Sequence, residues 1–158
     1  KLVSIENEQG EMVDTIKLSS NAEKVTTPGK KQVWRITRKS DGKSEGDYVT
    51  LWDEDPRKET EIFMFHPVYT YVNKTVKNFE ARPILKDIFV DGQLVYDLPD
   101  LETVKQTAKN SLDSLWEEYK RDLNPQKYPV DLSTECWNHK NKIMKQVRES
   151  MMYLQQED

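Results

Sequence analysis

Cys136 and His139 are the two residues of this sequence whose spacing could bring metal ligands together. They stand three positions apart in a stretch of helical periodicity, so both side chains would share one face of a helix. A structural zinc site needs about four ligands, and the only other histidine, His66, lies far upstream in Phe65-His66-Pro67. We therefore predict no metal site. His139 is predicted as a solvated side chain and His66 as a packed or turn histidine.

Three short segments or residue types suggest known phosphate-, dinucleotide- or calcium-binding motifs, but their spacing does not match those motifs. Gly42-Lys43-Ser44 copies the end of a phosphate-binding P-loop, but the position five residues earlier, which should be glycine, is Thr37. No GxGxxG dinucleotide-binding motif occurs among the 5 glycines. The run Asp53-Glu54-Asp55 lacks the spacing of a calcium loop and is predicted as a charged turn. We predict no catalytic residue in this chain.

The basic segment 17–43 is the strongest chemical signal. It carries eight Lys or Arg against two acidic residues, a net charge of +6 in a chain of net charge −4. Within it, Pro28-Gly29 predicts a type II turn, since glycine accepts the positive φ. Backbone N–H groups at such a turn, with ammonium groups beside them, could bind an anion such as phosphate. Four lysines flank this turn: Lys17, Lys24, Lys30 and Lys31.

A solvated basic face is the alternative interpretation, and the charge pattern alone favours it. A nucleic-acid-binding module is a further alternative, with Trp34 as a possible base-stacking residue. The sequence lacks the signatures of RNA-binding modules, and its net charge is negative.

Alternating apolar residues and turn signals predict strands through the first part of the chain. Asp91-Gly92 is the clearest hairpin signal, since both residues tolerate positive φ. The predicted strands are 2–7, 12–18, 33–37, 48–52, 62–65, 76–81, 84–90 and 93–96.

Two amphipathic helices are predicted to follow, at about 100–121 and 133–155. Asp100 and Ser133 are their predicted N-caps, and Leu132 with Trp137 forms a hydrophobic staple. The apolar residues of the first helix recur every three or four positions and predict one buried face: Leu101, Val104, Ala108, Leu112, Leu115 and Tyr119. The stripe of the second helix is Trp137, Met144, Val147, Met151 and Leu154. The fold class is α+β, with mostly antiparallel strands and hairpins followed by two C-terminal helices.

The cysteine count, the length of the apolar runs and the first residues indicate where the protein functions and whether it is a fragment. Cys136 is the only cysteine, so no disulfide can form within the chain and a reducing compartment is expected. No apolar run approaches the roughly 20 residues that span a bilayer. The chain begins without Met, and Leu2-Val3-Ser4-Ile5 already has the pattern of a strand, which leads us to expect a fragment of a larger protein.

A family resemblance covers essentially the whole sequence. The segment 17–35, with Lys17-Leu18-Ser19 and Pro28-Gly29-Lys30-Lys31, resembles the stretch that follows the barrel in nicotinate phosphoribosyltransferases. Three later blocks are also similar to this family: Arg82-Pro83-Ile84-Leu85, Asp91-Gly92-x-Leu94-Val95-Tyr96, and Asn124-Pro125 through Leu132-Ser133.

The resemblance implies a parent enzyme that joins nicotinate to phosphoribosyl pyrophosphate, coupled to ATP hydrolysis, in NAD biosynthesis. It implies Mg²⁺, a cytoplasmic location and a homodimer. The phosphorylatable histidine and the substrate-binding loops of the family would lie upstream of Lys1, so this chain is expected to be an inactive C-terminal region. Its partner would be the catalytic barrel of the same polypeptide, and no nucleic acid or membrane is expected.

The predicted organisation places a strand and basic-turn segment at 1–32, which would link to the barrel. An α+β domain follows at 33–158, with its strands at 33–97. The resemblance and the local charge together suggest that five residues face the phosphate side of the parent's active site: Lys17, Ser19, Lys24, Thr26 and Lys30. A purely structural tie between the barrel and the C-terminal region is the alternative. An independent phosphate-ligand or nucleic-acid-binding module using 17–43 is the alternative for the function as a whole.

Overall fold

Runs of β-branched and aromatic residues build the central sheet of this computed structural model, which describes residues 2–154. The side chains of β4 alternate between buried and half-buried along its length, as expected when a strand has two covered faces. Six strands form the sheet, in the order β6-β5-β10-β4-β3-β7. They are β3 (Lys31–Arg38), β4 (Ser44–Leu51), β5 (Glu61–Phe65), β6 (Asn73–Lys77), β7 (Phe79–Pro83) and β10 (Val130–Leu132).

The two edge strands of this sheet follow one another in the chain. β6 and β7 stand at opposite ends of the strand order, yet Asn78 alone separates them in the chain, and it has a positive φ of 51°. The sheet must therefore curve strongly around its interior, so that its two edge strands meet at the corner occupied by Asn78, although they do not pair with each other. Its interior is the larger core cluster: Trp34, Ile36, Tyr48, Ile62, Met64, Val76, Phe79 and Ala81.

β10 enters the sheet from far along the chain. It pairs parallel with β4, with Asp131 opposite Tyr48, and antiparallel with β5 through Leu132 and Phe65. The long helix α3 (Thr134–Leu154) follows at once. A second cluster lies where α3 packs on the sheet, with Phe65, Leu132 and Cys136 at its centre and Val49, Leu51 and Trp137 around them.

Two small hairpins flank the sheet. β1 (Ser4–Glu6) pairs with β2 (Met12–Asp14), and β8 (Phe89–Val90) pairs with β9 (Gln93–Leu94). Asp91 and Gly92 join the second pair with φ values of 49° and 76°, as predicted for this turn. The α+β class is confirmed. Several strands differ from their predicted bounds. Only two residues of each of the predicted strands 84–90 and 93–96 are in a strand, and the predicted strand 12–18 ends at Asp14. The predicted strand 76–81 is divided between β6 and β7 by Asn78.

The first predicted helix is wrong in length and in burial. It breaks into α1 (Leu101–Ser114) and the short α2 (Glu117–Lys120), with Leu115 in extended conformation between them. Lys43 Nζ donates hydrogen bonds to the carbonyls of Asp113 (2.8 Å) and Leu115 (3.2 Å), which satisfies the open end of α1. No residue of α1 is buried, because nothing in the described part of the chain covers its apolar stripe.

Both predicted N-caps are present. The carboxylate of Asp100 accepts a hydrogen bond from the Thr103 N–H, and the hydroxyl of Ser133 accepts one from the Cys136 N–H at 3.0 Å. The end of the predicted second stripe is not buried, since Met151 is 53% exposed. The side chain of Leu154, residue 155 and Lys1 lie outside what the structure describes. Between residues 2 and 154, no helix is both long and apolar enough to cross a membrane.

Candidate functional site

Two of the eight basic residues of this segment pair with carboxylates within the chain. Arg35 forms two hydrogen bonds with the carboxylate of Asp47, at 2.8 and 3.2 Å, and Arg38 pairs with Asp41. Arg38 also lies over the ring of Trp116, with its guanidinium carbon 4.7 Å from the centroid. The local excess of charge therefore does not form one free basic face.

Lys31 is the lysine built into the Pro-Gly turn. Its ammonium donates hydrogen bonds to the carbonyls of Thr27 (2.7 Å), Pro28 (3.3 Å) and Gly29. Burial lowers the pKa of Lys31, against the opposing effects of Cys136 and Asp14. The Gly29 N–H donates to the Val3 carbonyl at 2.9 Å. The turn thus directs its carbonyls toward Lys31, and its Gly29 amide is bonded within the chain.

Lys17, Ser19 and Thr26 lie on a loop that is closed by hydrogen bonds. The Lys17 N–H donates to the Thr26 hydroxyl at 2.8 Å, and the Thr26 N–H donates back to the Lys17 carbonyl at 3.3 Å. The Ser19 hydroxyl accepts from the Asn21 N–H at 3.2 Å. The side chain of Lys17 is exposed, so its ammonium remains open to an outside partner.

The other two predicted residues are exposed lysines. Lys24 ends a short 3-10 turn, Ala22–Lys24, and Lys30 lies with its ammonium 3.8 Å from the centre of the Trp52 ring. The structure therefore places all five predicted residues in or beside one loop region, 17–30. No single set of contacts brings their side chains together.

A cleft of about 790 Å³ lies beside this loop region. Its lining includes Glu23, Val25 and Thr27, whereas the alternate residues Lys24 and Thr26 are not part of it. The loop thus divides into a cleft side and an outer side, and the predicted basic residues belong to the outer side. The opposite wall comes from the β5–β6 connection and from residues 127–131.

Two deeply buried charged residues of the cleft lining were missed by sequence reasoning. Asp131 on β10 is 5% exposed and Lys140 on α3 is 8% exposed. Burial lowers the pKa of Lys140, with Cys136 opposing, and raises that of Asp131, with Lys74 and His66 opposing. The available signal was the four-residue spacing from Cys136, which places Lys140 on the same face of the helix.

His66 has a fixed tautomer at the edge of the cleft. Its Nδ1 accepts hydrogen bonds from the backbone N–H groups of Val68 (3.1 Å) and Tyr69 (3.0 Å), so Nε2 carries the ring hydrogen. The imidazole also packs on the ring of Tyr69, with the centroids 5.1 Å apart. This confirms the prediction of a turn histidine.

Cys136 and His139 are separated by their surroundings. Cys136 is fully buried, and burial raises the pKa of its thiol to about 11, so little of it is the reactive thiolate at neutral pH. The prediction of a solvated His139 is wrong, because its Nε2 lies 2.7 Å from Oδ2 of Asp14. Within the described residues, no group of three or more His, Cys, Asp or Glu is placed to hold a metal ion.

The Asp14–His139 pair lies directly against Gly29. A Cβ at Gly29 would stand 2.8 Å from Asp14 Oδ2 and 3.3 Å from His139 Nε2. We call Asp14, Gly29, Lys31 and His139 the tether, because they join the N-terminal hairpin and the turn to α3.

The predicted charged turn at Asp53–Asp55 borders a second, acidic cleft of about 560 Å³. Glu54 accepts hydrogen bonds from the Leu51 N–H (2.6 Å) and the Ser133 hydroxyl (2.7 Å), and Asp55 pairs with Arg57. These contacts give the acidic residues structural roles in the loop and in the cap of α3.

Asp131→Asn is expected to stabilise the protein at pH 7 by about 1 kcal/mol, since burial raises the pKa of Asp131 and so disfavours its ionised form in the folded state. The folded state raises the pKa of Asp131, so it binds the proton more tightly than the unfolded chain. Stability therefore falls as pH rises through the interval between the two pKa values. The gain from Asn should be present above this interval and disappear below it.

Urea unfolding at several pH values measures this effect, with Asp122→Asn as a control of equal charge at an exposed site. A loss of stability at pH 7 in Asp131→Asn would contradict the interpretation.

Comparisons with known proteins agree with the resemblance. The family model described as "Nicotinate phosphoribosyltransferase C-terminal domain" matches residues 30–140. The nicotinate phosphoribosyltransferase of Bacillus subtilis is 49% identical over 148 residues, which cover 94% of this chain and 30% of that protein. The enzyme of Mus musculus is 35% identical over 118 residues, which cover 75% of this chain and 22% of that protein.

A solved structure shows the same fold. The crystal structure of human nicotinic acid phosphoribosyltransferase matches with a TM-score of 0.67 and 28% identity, over 75% of this chain and 24% of that one. The chain thus spans less than a third of the length of each of these relatives.

Proposed function

The chain belongs to the nicotinate phosphoribosyltransferase C-terminal domain family, and we propose that it serves as the accessory C-terminal region of such an enzyme. The supporting observation is the apolar face that the chain leaves open. Phe89 and Leu94 pair across the β8–β9 hairpin and are 65% and 54% exposed, and Leu101 at the start of α1 is 67% exposed. Apolar patches of this kind are typical of surfaces that are covered in an assembly.

The occupant of this face is, in our proposal, the catalytic part of the same polypeptide. The relatives are more than three times as long as the segment they share with this chain, so a larger body is available to cover it. We call the β8–β9 hairpin and the apolar stripe of α1 the docking face. The chain alone would then be inactive.

The parent enzyme would join nicotinate to phosphoribosyl pyrophosphate, with ATP hydrolysis, as a cytoplasmic homodimer. Mg²⁺ would be bound with the phosphates by residues outside this chain, since the described residues offer no cluster of ligands for it. Residues 1–32 would link the two parts. Their outer side, with Lys17, Lys24 and Lys30, would face the substrate phosphates, while the tether fixes the loop to α3.

Lys24→Ala in the full-length polypeptide is expected to raise the KM for phosphoribosyl pyrophosphate by about tenfold. Loss of one charge-assisted contact to phosphate is worth roughly 1.5–3 kcal/mol, and uniform binding affects KM rather than kcat. Lys39→Ala, at an exposed turn of the same basic segment, is the matched control. An unchanged KM with a lowered melting temperature would show that the loop is only a structural tie.

A further inference from the structure

The 790 Å³ cleft has no role in the proposed function. Its size falls within the range of about 300–1,000 Å³ that is usual for small-molecule sites. Its walls are largely apolar, with Val25 from the loop, Val68 from the β5–β6 connection, and Pro129 and Val130 from the segment that enters β10. Such walls suit the apolar body of a ligand.

Lys140 supplies a positive charge at one part of the cleft. It lies one turn after Cys136 on the face of α3 that packs on the sheet, and it is 8% exposed. Among the described residues, no carboxylate lies within ion-pair distance of its ammonium. The residue as a whole is buried, but its ammonium is not one of the fully buried side-chain atoms that lack a hydrogen-bond partner, so it reaches the solvent of the cleft. An anionic ligand group at this position would be attracted to its charge.

Asp131 supplies the second polar part. The residue is 5% exposed, and its carboxylate accepts no hydrogen bond from the described residues. The carboxylate oxygens are not fully buried, so they reach the solvent of the cleft. The neighbouring cation, Lys74, is bonded to Glu45, at 3.1 Å through its carboxylate and also through its carbonyl. Asp131 therefore keeps free acceptor capacity for a donor that enters the cleft.

We propose that this cleft binds a small organic anion with an aromatic or apolar body and an N–H or O–H group. Lys140 binds the carboxylate or phosphate, the Val and Pro side chains contact the body, and Asp131 accepts the hydrogen bond of the donor group.

Three probes of nearly equal size test the roles of these groups. The first, 4-aminobenzoate, carries both the anion and the donor. The second, 4-aminobenzamide, lacks the negative charge, and the third, benzoate, lacks the amino group. Chemical shifts of the ¹⁵N-labelled 158-residue chain report the binding of each probe. We expect 4-aminobenzoate to bind about tenfold more tightly than either of the others, since each lost contact is a hydrogen bond to a charged group.

Lys140→Gln should abolish the preference for 4-aminobenzoate over 4-aminobenzamide. Lys142→Gln, two positions along the same helix and exposed, should keep it. Val72→Glu places a carboxylate at the mouth of the cleft, where the side chain is 54% exposed, so it should fold normally. It should weaken 4-aminobenzoate and leave 4-aminobenzamide unchanged. Equal binding of the charged and neutral probes to the unmodified chain, or an unchanged preference in both cleft variants, would overturn the proposal.

Discussion

Gly29→Ala is expected to lower the free energy of unfolding by about 2–3 kcal/mol. Gly29 has a φ of 84°, and a residue with a Cβ in this region costs roughly 1–2 kcal/mol. The new Cβ would also stand 2.8 Å from Asp14 Oδ2, so it would push apart the 2.7 Å contact between Asp14 and His139. The tether would therefore lose its central contact.

Gly42→Ala isolates the backbone part of this effect. Gly42 has a similar φ of 68°, but a Cβ there would meet nothing within 4 Å. Its loss should be about 1 kcal/mol, the cost of the conformation alone. Urea unfolding of both variants measures the difference. Equal losses would show that close packing at the tether contributes nothing to stability.

Replacement of both Phe89 and Leu94 by Ser is expected to affect the full-length polypeptide far more than this chain. These side chains pair across the β8–β9 hairpin and are more than half exposed here, so the chain alone should change by no more than about 0.5 kcal/mol. If the catalytic part covers them, the full-length polypeptide should lose about 2–3 kcal/mol from the interface. Complete burial of one such side chain is worth about 1.5–3 kcal/mol, and the interface would bury only the exposed half or more of each of the two.

Thermal unfolding of the same double variant in both contexts provides the comparison. The double variant of the 158-residue chain is the control, because it carries the same substitutions without the catalytic part. The double variant should also reduce any self-association of the chain through this face. A full-length polypeptide with an unchanged melting temperature would show that the docking face is not covered by the catalytic part.

The sequence predicts the strands that are long enough to show an alternation of buried and less buried side chains. The alternation in β3, β4 and β5 is visible because one face of each strand lies in the interior of the curved sheet. The same alternation does not predict β10, because three residues are too few to show a period. Its partner β4 also lies about 80 residues away in the chain, so no local turn signal indicates the pairing. Periodicity also predicts that α1 has an apolar face, but it does not say whether this chain covers that face.

In the candidate site, too, some features follow from the local sequence and others only from tertiary packing. The Pro28-Gly29 turn follows from local chemistry, and Gly29 has the positive φ that the turn requires. The partial burial of Lys31 near Cys136 depends on tertiary packing against α3, as does the contact of His139 with Asp14. The burial of Asp131 and Lys140 has the same origin, because it arises where β10 and α3 meet the N-terminal loop. The four-residue spacing places Lys140 on the helix face of Cys136, but no local pattern shows what that face contacts.

The most direct test is a nicotinate-dependent assay with phosphoribosyl pyrophosphate, ATP and Mg²⁺. The 158-residue chain is compared with the full-length polypeptide that carries it, under the same conditions. We predict formation of nicotinate mononucleotide by the full-length polypeptide and none by the chain alone. Turnover by the chain alone would contradict an accessory role and would place catalytic groups among the residues described above.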